Sequence, residues 1–122
     1  MKLVLGLAAL IVAFGASEAG AAQTERLTKL DGNRLLAVCD TRNPASARGC
    51  EAYIDGIADS LTIASRPING AHPANSACIP PDLTAPQLRE SLVSWLKANA
   101  KDRNHPAAEI VLHVLRENYP CH

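Results

Sequence analysis

The sequence predicts a small all-α domain, an antiparallel bundle-like packing of four helices stapled by two disulfides. Three observations predict it. Apolar residues recur at helical spacing in four separate segments. The apolar content lies in Leu, Ile, Val and Ala, with few aromatic or β-branched strands in sight. Four cysteines, Cys39, Cys50, Cys78 and Cys121, are spread widely through the chain.

The first of the 122 residues form a leader. Lys2 is its positive start, Leu3 to Phe14 its apolar stretch, and Ala19-Gly20-Ala21-Ala22 the small residues of a cleavage site. The apolar stretch is shorter than the roughly 20 residues that span a bilayer. No cysteine directly follows it to carry a lipid. The expected division is a secretory signal peptide over 1–22 and one domain over 23–122, with no membrane attachment after cleavage. About 100 residues bury only about two-thirds of their unfolded surface, so the core is thin. Tyr53, Trp95 and Tyr119 are the aromatics left in it.

An even cysteine count in a small exported domain reads as disulfides, and the wide spacings lack the close ligand pairs of a zinc site. Acidic and basic residues balance, 12 of each. A neutral chain has no general attraction for nucleic acid or anionic lipid.

The first helix is expected from about Asp31 to Cys39, with Asp31 as its N-cap and Leu35, Leu36 and Val38 as its apolar side. Residues from Gln23 to Leu30 form a loose lead-in. The second runs from about Ala47 to Ser65, where Cys50, Tyr53, Ile54, Ile57, Leu61 and Ala64 recur at helical spacing and Pro67 and Gly70 end it. A long loop from Arg66 to Leu83 follows. Connections of that length are uncommon in compact domains and are often functional or mobile.

The third helix starts at Thr84, which forms a capping box with Gln87 and is followed by Pro86 in the first turn. Leu88, Leu92, Trp95 and Leu96 make its stripe. Asn99 to Asn104 is a polar turn. The fourth helix runs from about His105 to Tyr119, with Pro106 in its first turn. Its apolar face is wide, as expected of a central helix or of one that also meets a partner.

Short connections make neighbouring helices antiparallel. That brings Cys39, ending the first helix, beside Cys50, starting the second. It also brings Cys78, before the third helix, beside Cys121, after the fourth. The two other connectivities stay open on sequence grounds. Closing these loops stabilises by roughly 3 and roughly 4 kcal/mol.

Candidate chemistry is sparse. His72, His105, His113 and His122 include no pair at i and i+4, so a helical metal face is absent. No nucleophile elbow, phosphate-binding glycine loop or dinucleotide fingerprint occurs. No catalytic residue, metal or cofactor is expected, and an enzyme is not. Two charge patterns stand out. Glu51, Asp55 and Asp59 stack at intervals of four on one helix face, either as a solvated face near Arg48 or as an acidic patch for a basic partner. His113 lies four residues from both Glu109 and Glu117, a setting that favours the imidazolium. Gly49, Gly56 and Ser60 share another side of the second helix. A helix-interior glycine costs about 1 kcal/mol against Ala. Gly56 therefore points to close approach by another helix, within the fold or across a dimer.

The ordered pieces G-N-R-L-L-A-V-C, C-E-A-Y-I-D-G-I-A-D, C-I-P-P-D-L-T-A-P-Q-L, W-L-K-A-N and H-P-A-A-E-I-V-L-H-V-L-R-E-N-Y-P-C span Gly32 to Cys121. Together they resemble the Rap/Tai family of type VI secretion immunity proteins. The resemblance implies a periplasmic all-helical protein, often a homodimer, that binds a secreted peptidoglycan amidase effector and occludes its active-site cleft with a protruding loop. A helix of the dimer mate adds contacts. Within the family pattern the cysteines, Tyr53, Gly56, Asp59, Pro80, Leu88, Tyr119 and Pro120 look like fold determinants, not inhibitory residues.

Two loops could serve: Lys101, Asp102, Arg103, Asn104 and His105, or the longer segment from Arg66 to Ser76. The shorter loop, expected to be braced by the third and fourth helices, is preferred, because a pre-organised loop loses less entropy on binding. Glu51, Asp55 and Asp59 are the secondary partner-binding candidates. A different reading is a periplasmic helical chaperone of acid-stress type, with His113 and its acidic neighbours as the pH trigger.

Overall fold

The computed structural model describes residues 30–122. The signal peptide read over 1–22, and the lead-in apart from Leu30, lie outside the described residues. The described chain is all-helical: α1 (Gly32–Cys39), α2 (Pro44–Ala64), α3 (Ala85–Ala98) and α4 (Ala107–Asn118), with a 3-10 turn over Ala100–Asp102. Only isolated β-bridges accompany the helices among the described residues.

Each helix starts where its sequence lets it. Asp31 Oδ1 accepts the Arg34 N–H at 2.9 Å and caps α1. The capping box of α3 forms, with Thr84 N donating to Gln87 Oε1 at 2.9 Å and Gln87 N donating to Thr84 Oγ1 at 3.4 Å. Two boundaries differ from expectation. α2 begins at Pro44, three residues before the expected Ala47, because Asn43 Oδ1 accepts from Ala45 N and Ser46 N and Pro44 fits the first turn. α4 begins at Ala107 because Pro106, with a non-helical ψ of 136°, is its cap position; the Ala107 N–H, which has no partner within the helix, donates to Leu30 O at 2.7 Å.

The core follows the helical period. Leu35 and Cys39 from α1, Cys50, Ile54, Ala58 and Leu61 from α2, Leu88, Leu92 and Leu96 from α3, and Ala107, Ile110, Val111, Val114 and Leu115 from α4 are all buried. Every helix packs against the other three, and α4 buries the most residues of any helix, as its wide stripe implies. Val38 and Ala64, read as apolar-face residues, instead face solvent, while Ala58 takes an inner position.

Both expected disulfides are present, Cys39–Cys50 and Cys78–Cys121. The first closes the α1–α2 hairpin. The second joins the long loop to the segment after α4.

That long loop is not slack. Asn69 and Gly70 both take positive φ, 52° and 83°, and turn the chain so that Ile68 and Ala71 exchange backbone hydrogen bonds. Buried Ser65 accepts the Ala77 N–H on its Oγ at 2.9 Å. Cys78 N donates to Tyr119 O at 2.8 Å, and Arg116 Nε donates to Asn75 O at 2.6 Å.

Candidate functional site

The Lys101–His105 loop is built from both ends. After α3 the chain tightens into the 3-10 turn, where Asp102 N donates to Asn99 O, and His105 N then donates to Asp102 O at 3.2 Å. From the side, the start of α1 grips it. Gly32 N donates to His105 O and Asn33 N to Arg103 O, each at 3.2 Å. Asn33 Nδ2 donates to Asn104 Oδ1 at 3.2 Å. Gly32 makes this approach possible: a Cβ there would lie 2.8 Å from Arg103 Cα and 2.9 Å from Arg103 O. The expected brace was α3 and α4. The larger brace is α1, distant in sequence.

Lys101, Asp102, Asn104 and His105 are exposed on this support, and Arg103 is half-buried. The Arg103 Nε is enclosed and has no hydrogen-bond partner. Beside the loop an open groove of about 420 Å³ runs between α3 and α4, lined by Trp95, Asp102, His105, Glu109, Ile110 and His113. The His113 ring stands edge-on to Trp95 with centroids 5.5 Å apart. His113 Nε2 lies 3.4 Å from Glu117 Oε2, and both side chains are more than half exposed. Glu109, the other expected neighbour of His113, lines the groove. Solvent screens a pair this open, so it holds little fixed charge geometry. The surface therefore combines a firm polar loop with an aromatic-walled hollow, a shape suited to docking.

The secondary acidic candidates part company. Glu51 is half-buried, and its Oε1 lies 3.1 Å from Arg89 Nε of α3. Arg89 Nη1 also donates to Cys39 O at 3.4 Å, so this arginine ties α3 to the first disulfide hairpin. Asp55 and Asp59 remain exposed. The stack of three is thus two open carboxylates and one used inside the fold. The partner of Glu51 is 38 positions away by number, and helical spacing along α2 could not reveal it.

Gly49 and Gly56 are exposed, and a Cβ at either would meet nothing within 4 Å. Among the described residues, close approach by another helix is therefore not the reason for Gly56. Asp59 and Pro80, read as fold determinants along with Gly56, are likewise exposed, whereas Leu88 is buried as a determinant should be. The Arg66 to Ser76 segment is held by Ser65 and Arg116 as well as by Cys78, so firmness alone does not separate the two candidate loops. What separates them is the groove, which adjoins only the shorter one among the described residues.

One further cluster was invisible along the sequence. His72, Cys78 and Cys121 place their ligand atoms within 4.8 Å of one another, with both sulfurs joined in the disulfide.

A family model described as Rap1a immunity proteins matches residues 31–121. No curated protein and no solved structure matches the chain.

Proposed function

The chain belongs to the Rap1a immunity protein family, and from that premise we propose that it is exported to the periplasm and neutralises a peptidoglycan amidase delivered by a type VI secretion system. Immunity of this kind needs a specific protein–protein contact and no catalytic group. The observation that carries the reading is the Lys101–His105 loop, exposed at its tip and hydrogen-bonded at its base to Gly32 and Asn33. A loop held this way enters a cleft with little ordering entropy left to lose. The adjoining groove gives the effector's cleft rim a place to seat.

The test is inhibition. The mature chain is mixed with type VI peptidoglycan amidases, including any encoded beside its own gene, and muropeptide release is followed. One amidase is expected to be bound and blocked. The double substitution Asp102→Ala with Arg103→Ala should weaken that inhibition by at least about tenfold, the scale of one hot-spot contact. Full inhibition by the double variant would move the contact elsewhere, with the Arg66–Ser76 segment and the exposed Asp55 and Asp59 as the next surfaces to substitute.

A homodimer through α2 goes with this reading. Gly49, Ala52 and Gly56 form an open strip of small residues, and Ile63 farther along the helix is 60% exposed. Among the described residues no helix covers Gly49 or Gly56, so the strip is open to a second copy. Gly56→Leu should convert dimer to monomer in light scattering. An unchanged mass, or a monomeric parent chain, would remove the dimer.

A further inference from the structure

The cluster around the second disulfide has the construction of a metal site. The imidazole of His72 is held by a hydrogen bond of 2.6 Å between its Nδ1 and Ser65 O. A carbonyl only accepts, so Nδ1 carries the proton, and in the neutral ring the lone pair sits on Nε2. That nitrogen faces Cys78 Sγ at 3.7 Å. A histidine fixed through Nδ1–H to a backbone carbonyl, with Nε2 presented outward, is the arrangement that orients metal-binding imidazoles. Ser65 itself is 4% exposed and accepts the Ala77 N–H on its hydroxyl, so the anchor is rigid.

We propose that, when the Cys78–Cys121 bond is reduced, His72, Cys78 and Cys121 bind a zinc-class divalent cation. A tetrahedral ion with Zn–S of about 2.3 Å and Zn–N of about 2.0 Å has a sulfur–nitrogen edge of about 3.5 Å. The His72–Cys78 separation is already close to that. Opening the S–S bond frees the exposed Cys78 side chain to rotate and give the sulfurs their own edge. The backbone keeps the ligands together without the covalent link. Cys78 N donates to Tyr119 O at 2.8 Å, and Ala77 pairs with Pro120 across the same bridge. Three protein ligands leave a fourth position for water.

The redox step balances with a dithiol reductant. Its thiolate attacks one sulfur, two electrons pass to the cysteine pair, each cysteine sulfur takes a proton, and the reductant leaves as its own disulfide. Metal binding then releases the two thiol protons to solvent. The other staple stays closed under mild treatment, because Cys39 and Cys50 are each 1% exposed.

The test uses the mature chain, reduced with a trialkylphosphine so that no competing thiol remains, and titrated with Co²⁺ as a spectroscopic stand-in for zinc. The reduced chain should keep its helical circular dichroism. It should bind one equivalent with a thiolate-to-cobalt charge-transfer band and the visible bands of a tetrahedral complex, and the oxidised chain should show neither. His72→Ala should weaken binding by at least about tenfold, and His105→Ala should not change it. A reduced chain that loses its helices, gives no such bands, or binds equally well as His72→Ala overturns the site. So does retention of the bands when Cys78 and Cys121 are both replaced by Ser, since the metal would then sit on the other pair.

Discussion

Gly32 shows how one residue joins fold and site. Alanine there gains helix propensity of up to about 1 kcal/mol. Its methyl carbon, however, would press on the backbone of Arg103 and on the Ile110 side chain. The Ile110 methyl can rotate away, but the Arg103 backbone moves only if the loop moves. Gly32→Ala is therefore expected to cost about 1–3 kcal/mol overall, the usual range for overpacking, and to shift the urea midpoint down. On the proposed function the same variant should also weaken amidase inhibition, since it displaces the loop at its base. Tyr53 gives a residue-level pH effect. Burial pushes its phenol above the ordinary value near 10. The folded state then holds its proton more tightly than the unfolded state. The contribution is present in full below pH about 10 and is lost as pH rises through the higher folded value. Urea unfolding at pH 9 and pH 11 should show a fall in stability that is smaller in Tyr53→Phe.

At the scale of elements, connections depend on short-range acceptors as much as on hydrophobic pattern. The start of α2 hangs on Asn43, whose side-chain oxygen takes two helix N–H groups. Asn43→Ala should cost about 1 kcal/mol in the same unfolding assay. The long loop hangs on Ser65. Its hydroxyl is the acceptor for the N–H of Ala77, a residue only 2% exposed. Ser65→Ala strands that donor, and a loss of about 1–3 kcal/mol is expected. Hydrogen exchange at Ala77 should speed up correspondingly. Surface ion pairs count for less. Lys97 Nζ reaches Asp40 Oδ2 at 2.9 Å, but both side chains are about half exposed.

At the scale of the whole molecule, two covalent links support a thin core. Chain-entropy reasoning makes the longer loop, with a sequence separation of 43, the stronger constraint by about 1 kcal/mol over the one of 11. Accessibility orders them the other way. The link through exposed Cys78 should open first under limiting reductant, before the buried Cys39–Cys50 bond, and peptide mapping after alkylation reads that order. The finding that each helix touches the other three also explains why a loop between α3 and α4 can be braced by α1.

The sequence by itself determined the helices, most of their inner residues and the α3 capping box, and it favoured one cysteine pairing of three, which the structure then settled. These depend on neighbours within a few positions, or on short connections that leave little freedom in how adjacent helices meet. Motif order across Gly32 to Cys121 was enough to indicate the family. Asn43 as the cap of α2 was readable in principle, since Asn-Pro before an apolar-periodic run is a start signal. Tertiary structure alone decided the rest. It paired Glu51 with Arg89, brought Asn33 to Asn104, set His72 against Cys78 and Cys121, and left Gly56 facing outward. Each of these depends on where an element lies in space relative to one far away in the chain. No local period encodes that relation, because it arises only when all four helices settle on one core.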